Sequence, residues 1–164
     1  MEVSLGVDWN PSGSDDIFGE LRVAEQVNED EFGGVIDDEA FTKMITVNPA
    51  RALALDTHIG SLAPGLKADI TVLRERDDNP HLSLRRNHMQ DVEMVWVGGR
   101  LLYGRESVIQ KVKPNQCDAV QVKGSNKRLC VADSVTSVPK GGQTLDVIRT
   151  TLLDKYPQLS PLVP

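Results

Sequence analysis

Aromatic residues are scarce in this 164-residue chain: three Phe, two Tyr and two Trp, 4% of the total. A core therefore has to be built from Leu, Val, Ile and Ala. Long apolar runs are also missing, so no stretch is suited to span a bilayer as a helix. The N-terminus lacks the basic and apolar stretches of a secretory leader, which makes the cytoplasm the expected compartment. Positive charge is in deficit, with 18 Lys and Arg against 24 Asp and Glu. Phosphate binding needs a basic footprint, so nucleic acid is not an expected partner. The acidic balance serves solubility instead.

Cysteine is confined to Cys117 and Cys130. They could pair, but two thiols are not a disulfide framework, and reduced, structural cysteines are the expectation. Histidine stands only at 58, 81 and 88. No two of these are two, three or four residues apart, so no helix or strand ligand pair exists. There is no P-loop and no nucleophile elbow.

What is present reads as an α/β chain. Val3–Val7 has the pattern of a buried strand, and the turn from Asp8 to Ser14 follows it. A helix is predicted from Asp15 to about Asn28, with Ser12 or Ser14 as N-cap and Asp15 and Asp16 at its positive end. A second helix is predicted near Asp37 or Asp38, burying Ala40, Phe41, Met44 and Ile45. Asn48-Pro49 reads as N-cap and first-turn proline of a short helix from Ala50 to Leu55. Beyond Gly60 the texture turns to β. Strands are predicted at Ala68–Leu73, Val92–Val97 and Arg100–Tyr103, the last two joined by Gly98-Gly99. The stretch 77–87 is a charged connection, partly helical. A hairpin is predicted from Val120–Lys123 and Arg128–Ala132 around Gly124-Ser125-Asn126, and a closing helix from Thr144 to Lys155.

Asp8 is the sharpest candidate for chemistry. It follows a buried strand and precedes a loop and a helix, where α/β barrels carry their catalytic side chains. A carboxylate there can ligate a metal and accept a proton from metal-bound water. By position alone, a turn aspartate bonding nearby amides is the commoner role. Lys67, Asp69 and the pair Arg85-Arg86 read as turn or solvated residues.

Four segments share a likeness. Val3–Ser14 with Gly19-Glu20-Leu21 resembles the eighth barrel strand and loop of the amidohydrolase superfamily, in its cytosine deaminase- and chlorohydrolase-like branch. Thr46–Ala52 resembles the helix before that family's C-terminal sandwich. Gly60–Leu73 and Asp91–Gly104 are similar to its "GslxxGkxADlvvl" and "VxxVxVxGrxxy" segments. The resemblance implies a metal-dependent hydrolase of non-peptide C–N bonds, built on a (β/α)8 TIM barrel with a composite β-sandwich.

On that reading residues 1–56 end the barrel, 57–104 belong to the sandwich, and 105–164 are an extension closed by a helix. Asp8 corresponds to the family's metal-binding, proton-transferring aspartate. Trp9, Ser12 and Ser14 would line the substrate. The implied cofactor is a divalent metal, zinc or iron, and the implied partner a small-molecule substrate, with no membrane. The HxH pair and the other histidine ligands of the family are absent. The chain is therefore expected to be a truncated, C-terminal piece that binds no metal and is inactive alone, and whose exposed strand edges favour association. The competing reading is a non-catalytic interaction module or remnant of α+β type.

Overall fold

A computed structural model describes residues 2–8, 13–112, 117–133 and 143–160. They form two compact units, residues 1–100 and 101–164.

The first unit is built on four helices. α1 (Ile17–Phe32) starts at Asp16, whose Oδ1 accepts from the Gly19 amide at 2.8 Å. The N-cap is thus Asp16, not Ser12 or Ser14. α1 also runs four residues past the predicted Asn28, and Gly33 closes it with φ 68°. Asn28 stays central all the same. It is buried, and its amide exchanges two hydrogen bonds with the backbone of Ile36, at 2.9 and 3.1 Å. The side chain thereby completes backbone pairing for the loop that leads to the next helix.

That helix, α2 (Asp38–Met44), begins where predicted, capped by Asp37 on the Ala40 amide at 2.8 Å. α3 (Val47–Ala52) starts earlier than predicted. Its N-cap position is Thr46, and Asn48 lies inside the helix. The Asn48 side chain is engaged elsewhere: Nδ2 donates to the Val3 carbonyl at 2.7 Å. Leu21, Phe41 and Met44 form the buried cluster, joined by Leu5, Ala24, Ile36, Ile45 and Leu84.

α4 (Pro80–Arg86) packs against α1 and α2 and carries a correction. Arg85, expected in solvent, is only 5% exposed. Its Nη2 reaches Glu25 on α1 at 2.9 Å and Asp38 on α2 at 2.6 Å. Its guanidinium lies 4.9 Å from the Phe41 ring centroid. Burial works against the charged form, but the hydrogen bonds and charges of Glu25 and Asp38 outweigh it, and the pKa of Arg85 is raised. Arg86, one residue on, is exposed and pairs with Asp77.

β1 (Ile70–Leu73) and β2 (Val92–Val97) pair antiparallel, with Ile70 opposite Trp96 and a bulge between Val72 and Leu73. Asp91, just before β2, is 1% exposed. Its carboxylate binds Arg76 and accepts the His88 amide at 3.1 Å, with Arg74 3.9 Å away. Burial raises its pKa, the bonds to Arg76 and the His88 amide and the two arginine charges lower it, and the net shift is downward.

The predicted strand Val3–Val7 is not formed. Residues 2–8 are irregular and largely exposed, and among the described residues no strand pairs with them. An apolar segment of this kind becomes a strand only when neighbours supply its ladder hydrogen bonds.

In the second unit, β3 (Arg100–Arg105), β5 (Ser125–Leu129) and β4 (Asp118–Val122) lie side by side in that order, antiparallel. The β4–β5 turn is Lys123-Gly124, both at positive φ (48° and 79°), with Val122 opposite Ser125. It is one residue earlier and tighter than predicted, because two left-handed residues match the twist of a hairpin. α5 (Glu106–Val112) was not foreseen, and Ile109 is its buried residue. α6 (Leu145–Lys155) matches the predicted closing helix to within one residue; Thr144, expected as its first residue, is its N-cap. Cys117 and Cys130 are joined as a disulfide, which overturns the expectation of reduced thiols. Their side chains meet because 117 and 130 continue the β4–β5 register by one pair past Asp118–Leu129.

Two predictions follow from this packing. Phe41→Ala leaves a cavity under Arg85 and is expected to cost about 3–5 kcal/mol of stability, read from urea unfolding. Asp91→Asn is expected to cost about 1.5–3 kcal/mol at neutral pH, the scale of a charged hydrogen bond. Because the folded pKa of Asp91 is depressed, its contribution is present above the unfolded value of about 4 and is lost as pH falls through the folded one. The gap between wild type and variant should therefore narrow as the pH falls below about 4; a gap that stays constant or widens in acid refutes the assignment.

Candidate functional site

The site is built from the segment that carries Asp8. Three contacts hold it to the helices. Glu2 Oε1 meets Arg51 Nη1 at 2.7 Å, Asn48 holds the Val3 carbonyl, and the Leu5 amide donates to the Met44 carbonyl at 2.9 Å. Leu5 packs on the helical cluster. The end of α2 and the first turns of α3 thus set the course of the chain toward Asp8.

Asp8 itself is exposed. Trp9 and Ser12 lie outside the described residues. Ser14 is half-buried, and its amide donates to Glu20 Oε1 at 3.0 Å, so it helps close the start of α1. A Cβ on Gly19 would stand 2.6 Å from the Ser14 Cβ, which ties the residue at 19 to glycine. Of the four expected site residues, two are therefore described, Asp8 and Ser14.

Among the described residues, no three His, Cys, Asp or Glu side chains converge as a metal site. His81 Nδ1 faces Thr42 Oγ1 at 2.8 Å, and His58 Nδ1 faces Thr57 Oγ1 at 2.9 Å. A lone carboxylate does not hold zinc or iron, which take three or four protein donors. The residues present thus do not fit a metal by themselves. A cavity of about 320 Å³ is lined by Leu73, Arg74, Asp77, Ser83 and Asn87 among others, and Asp8 is not one of its lining residues. Among the described residues no helix is long and apolar enough to cross a membrane.

The family-like segments have a clear local purpose. Asp69 Oδ1 accepts the Gly98 amide at 2.6 Å, and the Gly99 amide donates to the Ala68 carbonyl at 2.9 Å. The loop before β1 and the Gly98-Gly99 turn after β2 therefore close on each other. Gly60, at φ 94°, packs on α3: a Cβ there would stand 2.6 Å from Ala50 Cβ.

Comparison with known proteins fits these details. The model of the "Amidohydrolase family" matches residues 28–103. A 5-methylthioadenosine/S-adenosylhomocysteine deaminase of Teredinibacter turnerae is 33% identical over 112 residues, 62% of this chain and 25% of the relative. A 5'-deoxyadenosine deaminase of Methanothermobacter thermautotrophicus is 36% identical over 115 residues, 62% of this chain and 26% of the relative. Adenine deaminase 2 of a Jannaschia species is 40% identical over 67 residues, 41% of this chain and 9% of the relative. The chain thus spans about a quarter or less of these relatives. The stretch that is similar to the amidohydrolase family, residues 28–103, contains the α2–α3 pair, the Asp69 clasp and the β1–β2 ladder.

Proposed function

We propose that this chain is the C-terminal part of a hydrolase that removes the exocyclic amine of an adenine or adenosine derivative. The observation that carries the proposal is the agreement of the three relatives: each is named a deaminase of an adenine-type compound. The reaction adds water at the carbon bearing the amine and releases ammonia. Asp8 is assigned the proton transfer, from the attacking water to the leaving amine. Trp9, Ser12 and Ser14 are assigned to the substrate side.

In this reading residues 1–56 complete a TIM barrel, 57–104 contribute to a composite sandwich, and 105–164 extend it. The remaining metal donors then come from a segment carrying the paired histidines, and the chain alone is inactive. Exposed strand edges in the sandwich segment suit association with such a segment. The cytoplasm, where small nucleoside metabolites are turned over, is the proposed location.

The test is to produce this chain together with an N-terminal amidohydrolase segment that carries the HxH pair, and to measure ammonia release from adenosine derivatives. The wild-type pair should be active, and Asp8→Asn should reduce kcat by about 10²–10⁴-fold with the fold unchanged by circular dichroism. A folded, metal-loaded pair that releases no ammonia would leave the non-catalytic module as the surviving reading.

A further inference from the structure

We propose that the Cys117–Cys130 disulfide is a reversible redox site that controls the docking of α6. Three features of the second unit meet there. The disulfide closes the open end of the β4–β5 hairpin, one register pair beyond Asp118–Leu129. Asp118, next to Cys117, accepts the Leu145 amide through Oδ2 at 2.9 Å, which ties the first residue of α6 to the start of β4. A cavity of about 370 Å³ is lined by Cys117, Asp118, Ala132 and Thr144.

The two sulfurs are not equivalent. Cys130 is fully buried, and its amide donates to the Leu102 carbonyl at 2.7 Å, so β3 holds it in place whether or not the disulfide exists. Cys117 is partly exposed and borders the cavity. A thiolate reaches a disulfide along an accessible sulfur, so Cys117 Sγ is the electrophile. Its backbone is gripped by Arg128, whose Nη1 donates to the Cys117 carbonyl at 3.3 Å while Nε and Nη2 bind Glu106.

The reductant is a dithiol, small or protein-borne. One of its thiolates attacks Cys117 Sγ, the Sγ–Sγ bond breaks, and Cys130 leaves as a thiolate that takes a proton. The second thiolate of the reductant then attacks its own sulfur in the mixed disulfide. Cys117 leaves as a thiolate and is protonated, and the reductant departs as a disulfide. Two electrons and two protons pass to the protein.

The consequence falls on α6. The helix buries none of its residues fully, and Val147, Ile148 and Leu152 keep more than a third of their surface exposed. An element with so little burial depends on its few polar ties. Once Cys117 is released, the start of β4 loses its covalent tie and is held by the terminal Asp118–Leu129 pair and Arg128 alone, so the hold of Asp118 on the first residue of α6 weakens. In a reducing compartment the helix is loosened, and under oxidation it is held.

The experiment is amide hydrogen exchange on the full chain, oxidised and after treatment with dithiothreitol, with alkylation and mass measurement to count free thiols. Reduction should free two thiols and speed exchange at residues 148–155 at least tenfold, leaving α1 in the first unit unchanged. Asp118→Ala, which keeps the disulfide, should show the faster α6 exchange already when oxidised, and reduction should add less than threefold. The proposal is overturned if two thiols are free in the air-oxidised chain or resist release by dithiothreitol. It is equally overturned if α6 exchange is unchanged on reduction, or if α1 loses protection along with α6.

Discussion

The first unit depends on one buried cation. Arg85 enters from α4 and meets a carboxylate from α1, a carboxylate from α2 and the face of Phe41. Its Nε and Nη1 are buried without a hydrogen-bond partner there, so the charge is stabilised through Nη2 and the ring alone. Taking a guanidinium out of water is costly, and the pairing only offsets that cost when the partners stay in place. Its value is therefore geometric. The helices must approach at the spacing that lets both carboxylates reach Nη2, which places Leu21, Phe41 and Met44 in contact. With few aromatics to fill space, an aliphatic core gains specificity from such a fixed polar point.

The same logic explains why the family-like segments look as they do. Asp69 is polar and exposed, yet its oxygen fixes the Gly98 amide and so closes one end of the β1–β2 ladder. Gly98 and Gly99, at φ 57° and 76°, supply a turn that other residues enter only with strain. Gly60 admits α3 to close approach. Asn48 and Arg51 spend their side chains on residues 2–3 rather than on capping. These residues position chain segments and carry no chemistry of their own.

Much of this was legible in the sequence. The helix starts near Asp37 and Thr144 and the Gly98-Gly99 turn follow from local sequence, and the structure has each within a residue of its expected place. The errors arise where a distant partner decides. Asn48 has the look of an N-cap, but the Val3 carbonyl lies within reach and wins its amide. Arg85 and Arg86 form one charged pair in sequence; on a helix they stand about 100° apart, so one faces the core and the other faces water. Helical periodicity could have flagged this, since Leu82 and Leu84 sit beside Arg85. The disulfide was missed because two cysteines thirteen apart signal nothing until the hairpin register places them opposite. Of the candidate site, Asp8 and Ser14 can be located; Ser14 turns out to serve the start of α1.

Asp8 illustrates why a strand cannot be judged from its own residues. Val3–Val7 is apolar enough to be buried on both faces, which is the signature of a strand in a parallel sheet. Here it is irregular, anchored at Glu2, Val3 and Leu5, and exposed toward Asp8. The anchors fix its beginning; only a neighbouring strand could fix its end. A carboxylate at the unanchored end of such a segment is free to be positioned by whatever pairs with it. Under the proposed hydrolase function, proton transfer at Asp8 depends on the same pairing that would make Val3–Val7 a strand, so the positioning and the competence of Asp8 are one property rather than two.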